Sequence, residues 1–157
     1  MRAVVFDFFG TLTDPAAEAG RPRSFEAAAA ALGVPAGRFC RAMAESYPER
    51  IVGRHGGTRE TLRTIARRCE ADPSTPQLDA AVTAQLAAAE ALRTPRPGAL
   101  DLLDRLRDDR FRIGLISDCS SELCEAWPET PYAPRIDAAV FSWRESAESP
   151  IRGSTRL

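Results

Sequence analysis

The first residue able to do covalent chemistry is Asp7, in the segment Val4-Val5-Phe6-Asp7-Phe8-Phe9-Gly10-Thr11-Leu12-Thr13. A carboxylate on a loop after an apolar run can attack phosphorus or carbon. Gly10 allows the backbone to turn sharply and leaves amides directed at an anion. Much later the run Phe111-Arg112-Ile113-Gly114-Leu115-Ile116 ends in Ser117-Asp118, and the Ser117 hydroxyl can donate to the same anion. Two separated polar groups, each at the end of an apolar run, are therefore candidates for one site.

Other reactive residue types do not form sets. Cys40, Cys69, Cys119 and Cys124 include no Cys-x-x-Cys pair, and with the single histidine, His55, they make a poor zinc set. Reduced structural thiols are the expectation. The polar stretch Arg54-His55-Gly56-Gly57-Thr58-Arg59 reads as a solvated turn, with a role in specificity as the alternative. Arg63, Arg67 and Arg68 read as a solvated helix face.

The elements that must position Asp7 and Ser117 follow from the same patterns. Arg2 to Phe6 is a buried strand, Phe111–Ile116 a second and Asp137–Phe141 a third. Between about Ser24 and Thr94 the alanine-rich segments are punctuated by Pro35, Pro48, Gly56-Gly57, Pro73 and Pro76, which predicts four short amphipathic helices. After Pro97-Gly98 a helix presents Ala99, Leu102, Leu103 and Leu106 on one face. A further short helix, capped by Ser120 or Ser121, runs through Glu125 and stops at Pro128. Asp14 before Pro15 has the pattern of a structural cap. Strands alternating with helices imply a parallel, doubly wound, Rossmann-like α/β sheet, whose ligands sit beyond the carboxyl ends of the strands. Both Asp7 and Ser117-Asp118 fall at such ends.

Composition narrows the ligand. The 157 residues are enough for one domain of ordinary size. With 21 basic and 22 acidic residues spread along the chain, no stripe of either sign marks a nucleic acid or membrane surface, so a small molecule is the expected ligand. No apolar run is long enough for a signal peptide or a spanning helix, and a cytoplasmic location is expected.

Asp7-Phe8-Phe9-Gly10-Thr11-Leu12 resembles the first motif of the haloacid dehalogenase superfamily, and Leu115-Ile116-Ser117-Asp118 resembles its second. The resemblance covers residues 1 to about 142 in the family's order. It implies an incomplete Rossmann-like core over residues 1–14 and 95–142, an inserted α-helical cap over 15–94 and an irregular tail over 143–157. It further implies that Asp7 is the nucleophile, that Gly10, Thr11 and the neighbouring amides contact phosphate, and that Ser117 with Asp118 forms the second anion-facing group. In the phosphatases of the family Asp7 and the backbone carbonyl of Phe9 would hold Mg2+.

The chain departs from that pattern in ways that keep its chemistry open. Phosphatases of the family carry an acid two residues after the nucleophile, to protonate the leaving oxygen. Phe9 stands there instead, as an aromatic does in the dehalogenase branch, or serves as a core aromatic. Asp118 stands where many relatives have asparagine, with helix capping as its structural alternative. No lysine occurs anywhere, and the paired acids that would complete the magnesium site are missing. Arg144 or Arg152 could supply a charge in place of the lysine, although a guanidinium is not equivalent to an ammonium. Reading the codons of Ser149 to Thr155 one base earlier permits Lys-Pro-Asp-Pro-Arg-Leu-Tyr, close to the family's third motif, so a shortened or out-of-frame end is the expectation. Three functions remain: a hydrolase of small phosphorylated metabolites, a dehalogenase-like hydrolase acting on carbon, and an inactive fragment. A sheet that ends at its third strand should also expose an apolar edge, and marginal stability or aggregation is expected.

Overall fold

The computed structural model describes residues 1–148. Three parallel strands, β1 (Arg2–Phe6), β2 (Phe111–Ser117) and β3 (Ala138–Phe141), lie in the order β1-β2-β3. Val4 pairs with Ile113, Phe6 with Leu115, and Ser117 with Phe141, so the carboxyl ends of β1 and β2 lie side by side. The Asp137 carboxylate reinforces the third strand's register, accepting the Ile113 amide at 2.7 Å and an Arg112 N–H at 3.1 Å. The Rossmann-like α/β architecture expected from the alternation of elements is the one observed.

Between β1 and β2 the chain makes a long helical excursion. A 3-10 helix, Pro15–Arg23, begins at Asp14, whose carboxylate accepts the Ala16 amide at 2.9 Å. This is the cap that the Asp-Pro pair predicts. There follow α1 (Glu26–Leu32), α2 (Ala36–Glu45), α3 (Tyr47–Arg50), α4 (Thr58–Arg68) and α5 (Thr75–Ala91). Five helices thus replace the expected four. The extra one is the single turn α3, where Pro48 sits in the first turn and no amide is needed from it. These helices share an apolar cluster that includes Leu32, Phe39, Met43, Leu62, Ile65 and Leu78. Leu12–Asp14 and Thr94–Arg96, where the chain leaves and returns, run antiparallel: Asp14 donates to Thr94 and Arg96 to Leu12.

A second cluster lies under the sheet. It joins Ile113 and Leu115 of β2 and Phe141 of β3 to Ala99 and Leu103 of α6 (Ala99–Asp108) and to Leu123 and Cys124 of α7 (Ser121–Ala126). Within α6, Leu106 packs on this cluster as expected, but Leu102 is exposed and Leu100 packs in its place. The expected irregular tail is corrected over residues 143–148, because Ser142–Glu148 forms α8, consistent with the helix-favouring Arg, Glu and Ala in that stretch; the rest of it lies outside the described residues. The segment Ser149–Thr155, with its alternative reading frame, lies outside the described residues.

Successive strands added in one direction by right-handed crossovers return their helices to one face. Alternation along the strands then leaves the opposite face to Val5, Gly114, Ile116 and Val140. Val5 is 60% exposed, Ile116 57% and Val140 43%, so among the described residues this face is uncovered. The apolar surface expected at a sheet edge is instead found mainly on this face. No described helix is long and apolar enough to cross a membrane.

Candidate active site

At the carboxyl end of β1 the chain folds into a tight turn. The Phe8 carbonyl accepts the amides of Thr11, Leu12 and Thr13 at 3.2, 2.9 and 3.2 Å, and the Gly10 amide donates to Thr13 Oγ1 at 2.8 Å. Gly10 has φ +73°, a left-handed conformation that costs a side-chain-bearing residue energy, while a Cβ there would meet no atom. Backbone conformation, not space, is therefore what calls for glycine. Phe8 is fully buried and anchors the turn, with edge contacts to Phe9, Trp127 and Tyr132.

This geometry leaves Asp7 exposed, directly after the strand. Thr11 donates its hydroxyl to Asp7 Oδ2 at 3.2 Å, and among the described residues Oδ1 has no hydrogen-bond partner. The amides of Gly10 and Thr11, expected to face an anion, are already used inside the turn. Among the described residues no such bond engages the amides of Phe8 and Phe9. Phe9 is half-buried. Its ring packs against Phe8, and the Arg21 guanidinium lies 4.8 Å from its centroid, itself held by Glu18 at 2.7 and 2.8 Å.

A cleft of about 950 Å³ opens between the strand ends and the helices inserted after β1. Asp7, Phe9 and Asp118 line it, whereas Gly10, Thr11 and Ser117 lie outside its walls. Ser117 is buried beside Phe141, and its hydroxyl has no partner among the described residues, which costs roughly 1–3 kcal/mol. Asp118 does not cap α7 as expected. That helix starts at Ser121, three residues after Asp118, and its N-cap is Ser120, whose hydroxyl donates to Glu122 instead of accepting an amide. Asp118 is thus an exposed acid facing the cleft.

Several cleft residues carry no motif and were not legible in the sequence. They include Arg21, Arg50, Gln85 and Glu122. The one available signal was their polarity inside alanine-rich or apolar stretches. The inserted helices are tied to α7 close by: the Thr58 amide donates to Glu125 at 2.8 Å, Thr58 Oγ1 meets Ser121 Oγ at 2.8 Å, and Gln85 donates to Glu122 at 3.2 Å.

The remaining candidates separate from the site. His55 bonds Glu49 at 3.0 Å, and Arg68 donates to the same carboxylate at 2.7 Å, so these residues stabilise the helical segment and do not line the cleft. Their hydrogen bonds hold the Glu49 carboxyl at about 2. The cysteines are free thiols, with Cys119 and Cys124 Sγ 3.8 Å apart. Among the described residues no three His, Cys, Asp or Glu side chains converge as a metal-binding group.

Residues 1–141 match the family model described as haloacid dehalogenase-like hydrolase. No curated protein matches the sequence. Among solved structures, a Thermotoga maritima protein with a provisional β-phosphoglucomutase assignment is similar with a TM-score of 0.54 and 22% identity, over 95% of this chain. The chain spans 64% of that protein's length, and at this identity the likeness is one of fold. Extending over most of the sequence, the family match establishes that the chain belongs to the haloacid dehalogenase-like hydrolases.

Proposed function

We propose that this protein hydrolyses a small phosphorylated metabolite through a covalent aspartyl intermediate on Asp7. The observation that carries the reading is the exposed Asp7 carboxylate at the carboxyl end of β1, one oxygen held by Thr11 and the other free, on the wall of a metabolite-sized cleft. Asp7 Oδ1 forms a bond to phosphorus as the bond from phosphorus to the leaving oxygen breaks. That oxygen takes its proton from solvent water; a second water then attacks the phosphorus of the aspartyl phosphate, giving up its proton to solvent as the bond from phosphorus to Asp7 Oδ1 breaks, which releases inorganic phosphate and restores Asp7.

The amides of Phe8 and Phe9, which follow the nucleophile in the chain and have no partner among the described residues, are assigned to the phosphoryl oxygens, with Thr11 positioning Asp7. The buried Ser117 hydroxyl is assigned to the same anion through a small local shift. Gly10 contributes by making the turn possible. Asp118 sits at the cleft wall, where it can orient the attacking water. Residues 15–94 act as a cap over the core of residues 1–14 and 95–142, closing the cleft from above.

Family resemblance implies Mg2+, and Asp7 with the unengaged Phe9 carbonyl offers hard oxygen donors for it. The described residues do not complete a donor set, so no step is derived through the metal. Phe9 favours a second reading. Displacement of halide from carbon needs no protonated leaving group, and an aromatic in place of the acid suits it.

The test is release of phosphate from p-nitrophenyl phosphate, with and without added Mg2+, by the wild-type chain and Asp7→Asn. Turnover abolished by the substitution supports the phosphatase reading. Chloride release from 2-chloropropionate without phosphatase activity supports the dehalogenase reading. A folded chain inactive on both is the inactive-fragment outcome.

A further inference from the structure

Arg50 is a buried cation with which no carboxylate among the described residues forms a direct ion pair. It is 5% exposed on α3 and lines the same cleft as Asp7. Its Nε donates to Ser46 Oγ at 3.2 Å and its Nη2 to the Met43 carbonyl at 3.0 Å. Two of five N–H groups are used, and three remain. Phe25 and Tyr47 each place a ring centroid 5.6 Å from the guanidinium carbon, and among the described residues no carboxylate reaches ion-pair distance of it. Aromatic faces favour a cation, but they do not replace an anion for a charge taken out of water. Glu122 is the acid that opposes burial's downward pull on the guanidinium's pKa most strongly.

Gln85 supplies an independent observation. It is 2% exposed on α5, lines the cleft, and donates through Nε2 to Glu122 Oε1 at 3.2 Å. Glu122 also accepts the Ser120 hydroxyl. With the amide nitrogen directed at Glu122, the carbonyl Oε1 is left without a partner among the described residues. A buried acceptor with none costs stability unless a ligand donates to it.

From these two groups we infer that Arg50 and Gln85 form a subsite for the non-reacting end of the substrate, taking a carboxylate on Arg50 and a hydroxyl or ammonium donor on Gln85 Oε1. This rests on the proposed hydrolysis at Asp7 only for the identity of the bound molecule as substrate; the subsite itself is a binding claim. A hydroxy- or amino-carboxylate answers both needs at once. A simple alcohol leaves the guanidinium unpaired, and a simple carboxylate leaves the amide carbonyl unpaired.

The experiment is ligand-observed NMR binding to the full chain carrying Asp7→Asn, with L-lactate, L-serine, acetate and methyl lactate as probes. Lactate and serine are expected to bind at least roughly tenfold tighter than methyl lactate, the scale of a hydrogen bond to a charged group, and lactate about threefold to tenfold tighter than acetate, the scale of a neutral one. Arg50→Gln should abolish the preference for lactate over methyl lactate. Since Arg50 also ties α2 to α3, Gln85→Leu is the second variant: it should keep the preference for carboxylate and lose the one for lactate over acetate. Equal binding of lactate and methyl lactate, or selectivity unchanged in Gln85→Leu, would overturn the subsite. Turnover of p-nitrophenyl phosphate by the wild-type chain is read separately, so loss of the hydrolase reading leaves this result standing.

Discussion

Thr11 donates its hydroxyl to Asp7 Oδ2 at 3.2 Å, across one turn of backbone. That bond fixes which carboxylate oxygen is free and in what direction it points. Removing it in Thr11→Ala should lower kcat on p-nitrophenyl phosphate by about tenfold through misplacement of the nucleophile, with KM little changed. Thr11→Ser should restore most of the rate. A Thr11→Ala enzyme with unchanged kcat would remove the positioning role.

Phe9 occupies the cleft wall between Phe8 and the Arg21–Glu18 pair. Its ring has no proton to give a leaving alkoxide. Phe9→Asp places an acid there, and positioned acids contribute on the order of 10²–10⁴ in rate. The gain should appear with alkyl phosphates, whose leaving groups need a proton, and be small with p-nitrophenyl phosphate. Equal effects on both substrates would mean that residue 9 is not placed to act on the leaving oxygen.

The acid limb of stability should report the helical segment. Arg68 and His55 depress the Glu49 carboxyl from 4.5 to about 2 in the folded chain. A depressed carboxyl contributes stability that is fully present above its unfolded value and lost as pH falls through the folded one. Thermal melts should therefore show Tm declining between about pH 4.5 and pH 2, less steeply in Glu49→Gln. Asp137, also held low by the Ile113 amide and Arg112, adds to the same limb. The double variant with Asp137→Asn should be flatter still, and identical slopes in all three chains would refute the assignment.

The open face of the sheet should make the chain self-associate. Val5 and Val140 present apolar side chains there without described cover. Contiguous exposed apolar surface promotes association and dye binding. Val140→Thr keeps a β-branched residue in the strand while adding a hydroxyl, so sedimentation should show less self-association with a Tm change within a few degrees. Unaltered association would locate the sticky surface elsewhere.

What the sequence reveals best is what short-range patterning controls. Runs of β-branched and aromatic residues mark β1 and β2 nearly to the residue, and Asp14-Pro15 marks a cap that forms as expected. Asp7 and Asp118 reach one cleft because parallel neighbours end on the same side. What stays hidden depends on contacts distant in sequence. Arg50 and Gln85 face the cleft with Glu122 only after α3, α5 and α7 have packed, and no local spacing relates them. Leu102 fits the helical stripe of α6 yet faces out, because the sheet covers a narrower arc than the stripe. Asp118 resembles a cap by type, but α7 begins too late to use it.

The central claim is a covalent intermediate on Asp7, and mass spectrometry of the acid-quenched enzyme tests it most directly. During turnover of a phosphate ester, the peptide containing Asp7 should carry a hydroxylamine-labile phosphoryl group that is absent from Asp7→Asn. Phosphate release with no adduct on that peptide, or turnover that survives Asp7→Asn, would contradict it.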